Sequence, residues 1–460
     1  MNHLPKRIPE RRSAIGAARI AAYEILQRLD RSRDFAVDLL QRPEVSRLKA
    51  VDRNLAVQLV MGVLRWRGDL DDQIERLSGK PLSTFDPEII QILRLGIFQI
   101  RFLSRIPKPA AVHESVELVK RARKTSATGI VNAVLRKCES APFRMRDAAG
   151  EPAPEYLESA FRGVPEWIRS RWVRNFGRET AIAIVLASQA TPATCLRVVS
   201  PRERERVRQE LAGSGVRTEE GTYSRLALRV QSGDVLDTDA GRQHKIVIQE
   251  EASQLVGELV QPRTGERVLD VCAAPGVKTG QLAACLQEGI LVASDRSLRR
   301  MALTEKVLFG VVPSNVRLCR AVVDASKPLP FGIRFDRVLA DVPCSGTGTF
   351  ARNPEGKWRL RPEDLDRLAE SQVRILRSAL DALAPGARLV YSTCSLEPEE
   401  NEQVVTSVLG ELTGYRSAAA RDLRQEFPAI AELFDEKGYF RTVPGIHPLD
   451  GFFAAVITRD

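Results

Sequence analysis

Residues 267–279 read Arg-Val-Leu-Asp270-Val-Cys-Ala-Ala-Pro-Gly276-Val-Lys278-Thr279, and the fold class turns on this stretch. The segment Arg267–Asp270 has the short Val-Leu centre of a buried strand, and the glycine-bearing turn behind it runs into a helical pattern. A turn of that kind lets backbone N–H groups approach a ligand, and the start of the helix favours the ligand's negative part. It is not a phosphate-binding GxxxxGK[ST] loop, because Val271 stands where the first glycine is needed, and it is not GxGxxG either.

Downstream, Ile290–Ser294, Val316–Val323, Arg337–Ala340 and Arg388–Tyr391 are again short runs rich in Val, Leu and Ile, separated by helix-length segments. This spacing predicts a doubly wound, Rossmann-like parallel sheet with helical crossovers over 240–460, with Phe452–Ile457 as a closing strand. In such a sheet ligands bind outside the carboxyl ends of the strands. Asp295 ends the second strand, 19 residues beyond Gly276, where a carboxylate can accept both hydroxyls of a ribose. Asp324 closes the third, placed to accept from an adenine amino group. Singly, each aspartate reads as a helix cap or turn residue. Together with the glycine loop, they point to an adenosine-type cofactor.

Upstream the grammar is helical. Ile15, Ala18, Ala22, Ile25, Leu26 and Leu29 keep the spacing of one helix face, as do Leu55, Leu59, Val63 and Leu64. Ile89 to Phe102 is apolar nearly all round and predicts a central buried helix, stopped by Pro107 and Pro109. Val112, Val116 and Val119, then Ile130, Val131, Val134 and Leu135, predict two closing helices, with the basic cluster Lys120, Arg121, Arg123 and Lys124 between them. Met145–Pro154 has linker composition. Beyond it lie helices carrying Trp167, Trp172 and Phe176, strand-like alternation in Leu226, Leu228 and Val230, and a run of alternating charge, Arg202–Arg208, that reads as a solvated helix face. The expected domains are therefore helical over 1–142, a small α+β middle domain over 155–235, and the α/β domain over 240–460.

Over 460 residues, 43% hydrophobic content excludes a disordered tail, and 7 cysteines exclude a disulfide scaffold. No membrane span or secretory signal is legible, so a cytoplasmic protein is expected. The net charge of +10 is unevenly spread: residues 1–150 hold 28 Lys+Arg against 17 Asp+Glu, and residues 151–460 hold 41 against 42. A polyanion such as RNA, or an acidic partner, is the natural expectation for the first third; a solvated basic helix surface is the other reading.

The fourth strand ends in Asp341-Val-Pro343-Cys344-Ser-Gly-Thr-Gly348 and the fifth in Ser392-Thr393-Cys394-Ser395. These strands are neighbours in a sheet of this class, so both thiols should face one cleft. Cys138, Cys195, Cys285 and Cys319 read as packing residues, as does Cys272 beside the cofactor turn. No metal site is expected: there is no CxxC, and His3, His113, His244 and His447 stand singly. A redox pair normally keeps its cysteines in one CxxC turn, which leaves nucleophilic catalysis. A thiolate beside an adenosine cofactor suits methylation of carbon 5 of a pyrimidine, a poor nucleophile until a thiolate adds to carbon 6. Carbon 5 can then attack the sulfonium methyl of S-adenosylmethionine. Asp341, three residues before Cys344, suits protonation of ring nitrogen 3 or binding of the exocyclic amino group. Spacing leaves open which cysteine adds and which assists release.

These motifs, with Lys357-Trp358 between the two thiols, resemble the RNA cytosine-5 methyltransferases of the Sun/Fmu type. The helical front, with Val131-Asn-Ala-Val-Leu-Arg136, resembles the NusB-like domain fused to the bacterial small-subunit ribosomal RNA members, the RsmB group. The resemblance implies Cys394 as nucleophile and Cys344 as the thiol that helps product release, whereas enzymes methylating the same carbon in DNA use the Pro-Cys thiol as nucleophile. It implies cofactor contacts from Cys272, Ala273, Ala274, Pro275, Gly276, Val277 and Lys278, with Asp295, Asp324 and Asp341, and base contacts from Lys278 and Asp341. The pattern usually has two glycines before the lysine; here the second is Val277, costly only where that position needs positive φ or close approach to the cofactor. Expected partners are S-adenosylmethionine and small-subunit ribosomal RNA, with no metal or membrane, acting as a monomer. Transfer RNA or another RNA is the alternative substrate, and a non-catalytic RNA-binding assembly or transcription factor the alternative of another class.

Overall fold

The computed structural model describes residues 15–32, 34–139, 146 and 150–460. The chain divides into two compact units: one holds residues up to Arg171 together with Asn353–Trp358, and the other holds Trp172–Arg352 and Arg359–Asp460.

In the first unit, Ala17–Arg31, Ala50–Ser78, Pro87–Phe102, Lys108–Arg121 and Thr128–Lys137 are helices. Pro87–Phe102 is buried nearly all round, polar residues Gln91, Arg94 and Gln99 included. Asp71 accepts two bonds from the Arg94 guanidinium, at 2.6 and 2.8 Å. Helix Ala50–Ser78 packs so closely that a Cβ on Gly62 would lie 1.9 Å from the Phe98 ring. Pro107 and Pro109 do not stop the central helix, which ends at Phe102. They begin the next one, as cap and in the first turn, where a missing N–H breaks no helical bond. The stretch Met145–Pro154 lies partly outside the described residues, and Pro154 already opens helix Pro154–Arg162. In the basic cluster Lys120 pairs with Glu117 at 2.5 Å, Arg121 with Glu24 at 2.7 Å and Lys124 with Asp86 at 2.8 Å. Asn353–Trp358 belongs with these helices: Trp358 Nε1–H bonds Leu64 O at 2.7 Å and Lys357 Nζ bonds Arg65 O at 3.3 Å.

The second unit holds two sheets. Strands β1 (Thr194–Val198), β2 (Arg217–Glu220), β3 (Ala227–Ser232) and β4 (Ile246–Ile248) form an antiparallel sheet in the order β2-β3-β1-β4. Val207 and Leu211 of helix Arg204–Gly213 pack on Leu196, Val198 and Leu228. The solvated face is as expected: Arg206 pairs with Glu210 at 3.0 Å and Arg208 with Glu205 at 2.8 Å.

The larger sheet comprises β5 (Arg267–Asp270), β6 (Gly289–Asp295), β7 (Val316–Val322), β8 (Phe335–Asp341), β9 (Leu383–Thr393), β10 (Tyr415–Ser417), β11 (Phe440–Thr442) and β12 (Phe452–Arg459). Its order is β7-β6-β5-β8-β9-β12-β10, with β11 also paired to β12. The doubly wound reading holds for β5 to β9, which are parallel; the closing strand β12 runs antiparallel to β9, so the sheet is mixed. The chain proceeds β5 to β7 on one side, then crosses to place β8 on the other side of β5, and this reversal makes the crevice at the ends of β5 and β8. β9 begins earlier than its apolar run: Leu383 pairs with Phe335 and Arg388 with Arg337, and Gly386, at φ 71°, bulges between them.

Candidate active site

The turn after β5 is stitched to both neighbouring strands, Val271 N–H to Leu339 O at 2.9 Å and Ala273 N–H to Ser294 O at 2.8 Å. Gly276, at φ 110°, caps helix Val277–Leu286, a conformation that favours glycine. Val277 is the first helical residue, so its departure from the two-glycine pattern brings no left-handed strain. Asp270 is buried, and its Oδ2 accepts from Thr279 Oγ1 at 2.7 Å. Burial pushes its carboxyl up to about 7, against the bond from Thr279.

At the next strand end, Asp295 Oδ1 accepts Ser297 N–H at 2.9 Å and Oδ2 lies 3.5 Å from Arg300, which also donates to Ala274 O. Asp324 is exposed, and Ser326 donates to it through both its hydroxyl, at 2.7 Å, and its N–H, at 3.1 Å. Those bonds hold the Asp324 carboxyl below its ordinary value. A glycine-capped helix start with carboxylates at successive strand ends fits a ligand bearing hydroxyl and amino donors. Desolvation, with Asp270, Asp295 and Asp341 around it, pushes the Cys272 thiol up.

The ends of β8 and β9 meet as expected. Cys344 Sγ and Cys394 Sγ are 3.4 Å apart. Asp341 Oδ2 accepts from Lys278 Nζ at 2.8 Å, and its Oδ1 accepts from Ser392 Oγ at 2.7 Å. Burial works against the Lys278 charge, but Asp341 outweighs it and raises the pKa; the ammonium also sits 5.4 Å from the Phe452 ring centre. The Cys344 thiol is pushed well up by its contact with Cys394, by burial and by the charge of Glu400.

Glu400, fully buried, ties the two thiol segments together. It accepts from Ser345 N–H at 2.8 Å, from Gln372 Nε2 at 2.9 Å, from Ser395 Oγ at 2.5 Å and from Ser345 Oγ. Tyr391 OH donates to its backbone oxygen at 2.6 Å. Asn401 adds bonds to Thr393 Oγ1, at 2.5 Å, and to Ser395 O, at 2.9 Å. None of these supporting residues stood out in sequence. The one available signal was the carboxylate-rich run Ser395-Leu-Glu-Pro-Glu-Glu400-Asn401 directly behind a strand-end cysteine. Of the cysteines read as packing, Cys138 and Cys195 are buried and Cys285 is exposed.

Three family descriptions match the chain in succession: the NusB family over residues 16–140, an RsmF/B-like methyltransferase ferredoxin-like domain over 164–235, and the 16S rRNA methyltransferase RsmB/F over 258–458. The ribosomal RNA small subunit methyltransferase B of Vibrio cholerae is 30% identical over 458 residues, covering 96% of each chain. The probable ribosomal RNA small subunit methyltransferase B of Bacillus subtilis is 29% identical over 444 residues, covering 95% of this chain and 97% of that one. The crystal structure of PH0851 shares the fold, with a TM-score of 0.79 at 23% identity over 97% of this chain and 99% of that one. With a NusB-like front, a strand-end site of paired thiols and near full-length identity to such proteins, the chain belongs to the ribosomal RNA small subunit methyltransferase B family.

Proposed function

We propose that this protein transfers a methyl group from S-adenosylmethionine to carbon 5 of a cytidine in small-subunit ribosomal RNA, through a covalent adduct between Cys394 and carbon 6 of the base. The observation that carries this reading is the 3.4 Å approach of two thiols at adjacent strand ends, next to the Lys278–Asp341 ion pair. The residues from Cys272 to Lys278, with Asp295, Asp324 and Asp341, would hold the cofactor. Bound there, it supplies an electrophilic methyl group.

The rest of the chemistry falls to side chains. The Cys394 thiolate adds to carbon 6, and the displaced electron pair makes carbon 5 nucleophilic. Asp341, oriented by Ser392 and Lys278, holds the exocyclic amino group or ring nitrogen 3 while charge builds on the ring. After methylation, carbon 5 carries both a methyl group and a proton. Loss of that proton restores the double bond as the Cys394 sulfur leaves. Cys344, its sulfur 3.4 Å from that of Cys394, is placed to take it as the thiolate; because its surroundings raise the pKa of the thiol, its own proton must first pass to solvent. The base must leave its stack to present this edge. Domain roles follow: 1–142 and 155–235 engage RNA, and 240–460 carries the reaction.

The test is nucleoside analysis of small-subunit ribosomal RNA after incubation with protein and methyl-labelled S-adenosylmethionine. Label in 5-methylcytidine alone is expected; label in another nucleoside would overturn the assignment.

A further inference from the structure

The loop leaving Cys344 continues into the wall of a cavity of about 450 Å³, to which it contributes Thr347, Gly348 and Phe350–Arg352, and which the reaction above does not use. Other walls come from the end of helix Arg178–Gln189 and the turn behind it, from Arg229 on β3, from Glu250 before helix Glu251–Val260, and from Pro444–Asp450 ahead of β12. The cavity is tied to both thiol segments through the backbone. Gly348 N–H donates to Cys394 O at 3.0 Å, and Gly348 O accepts Gly451 N–H at 2.8 Å. A ligand seated there is therefore held in register with the two cysteines.

Its chemistry is mixed. Arg352 Nε bonds Asp450 Oδ2 at 2.6 Å, Glu250 Oε1 accepts Asp450 N–H at 3.1 Å, and the buried Arg229 Nε has no hydrogen-bond partner among the described residues. Two arginines face Glu250, Glu251 and Asp450, so no excess positive charge draws in a phosphate. Ile184, Phe350, Pro444 and Leu449 supply apolar wall beside these groups. Desolvation, and next the charge of Asp450, push the Glu250 carboxyl up to about 7, so near neutrality it donates as well as accepts. Donors and acceptors set among apolar walls, in a volume within the roughly 300–1,000 Å³ of small-ligand clefts, suit a neutral flat ring with polar edges. Single-stranded RNA offers such rings when its bases are splayed out.

We infer that this cavity receives the base of a nucleotide adjacent to the target cytidine on the same RNA strand. The inference rests on the reaction proposed above and adds a second base-binding subsite to it. Ala190 and Ala193 are exposed positions on the cavity wall, so tryptophan at either can fill the space without disturbing the core.

Equilibrium binding of a small-subunit ribosomal RNA transcript to Ala190→Trp, Ala193→Trp and the distant control Ile333→Trp tests it. Both wall variants should bind the transcript about tenfold more weakly, the scale of one lost base contact. Their KM for RNA should rise by the same factor, with kcat at saturating RNA and S-adenosylmethionine affinity unchanged, and the control should match wild type. RNA affinity within twofold of wild type in both wall variants, or an equal loss in the control, would overturn the subsite. A fall in kcat at saturating RNA would place the target base itself in the cavity and also overturn it. Affinity is read without methyl transfer: wild-type protein that binds the transcript but labels no cytidine counts against the reaction, while the tryptophan variants still decide the cavity.

Discussion

A single carboxylate, Glu400, ties together the two segments that carry Cys344 and Cys394. It accepts four hydrogen bonds from Ser345, Ser395 and Gln372, all in the low-dielectric interior behind Cys344 and Cys394. Glu400→Ala leaves these donors unsatisfied at about 1–3 kcal/mol for each that finds no water. It should lower the urea midpoint markedly and slow methyl transfer more than the isosteric Glu400→Gln does. Equal midpoints for the two variants would deny Glu400 this role. Asp270 gives a pH signature. Its folded-state pKa of about 7 stands above the ordinary carboxylate value, so its stabilising contribution is complete below about pH 4 and is lost as pH rises through 7. Thermal unfolding of wild type should weaken over that window relative to Asp270→Asn. A parallel course for the two proteins would show that Asp270 does not titrate there.

At the scale of elements, strand ends and glycine turns position the site. Gly276 holds φ 110° at the mouth of helix Val277–Leu286, so Gly276→Ala carries left-handed strain of about 1–2 kcal/mol and should weaken S-adenosylmethionine binding in calorimetry. Unchanged affinity would place the cofactor elsewhere. The strands that carry Asp295, Asp341 and Cys394 were legible because buried parallel strands read as continuous Val, Leu and Ile runs. Less was legible where a strand lacks that signal. β2, Arg-Thr-Glu-Glu, lies at the sheet edge with mostly exposed side chains, and β4 has only three residues. Pro107 and Pro109 misled because proline suits the start of a helix as well as its end. The supporting shell of Glu400, Gln372 and Ser345 was hidden because it comes from three separate stretches that only folding brings together. The candidate thiols, by contrast, were readable because each lies within three residues of a strand's end.

At the scale of the whole molecule, charge and chemistry are divided along the chain. Residues 1–150 carry 28 Lys+Arg against 17 Asp+Glu, while 236–460 carry 28 against 31. Phosphate neutralisation sets the slope of RNA affinity against salt, so removing residues 1–150 should flatten that slope. An unchanged slope would move the phosphate contacts into the remainder of the chain. The central claim, a covalent adduct on Cys394 resolved with help from Cys344, is tested most directly by trapping. Small-subunit ribosomal RNA containing 5-fluorocytidine blocks loss of the substituent at carbon 5 and should arrest the full-length protein as a covalent complex in the presence of S-adenosylmethionine. The complex should persist in Cys344→Ala and vanish in Cys394→Ala; a complex that survives Cys394→Ala and is lost in Cys344→Ala would contradict the account.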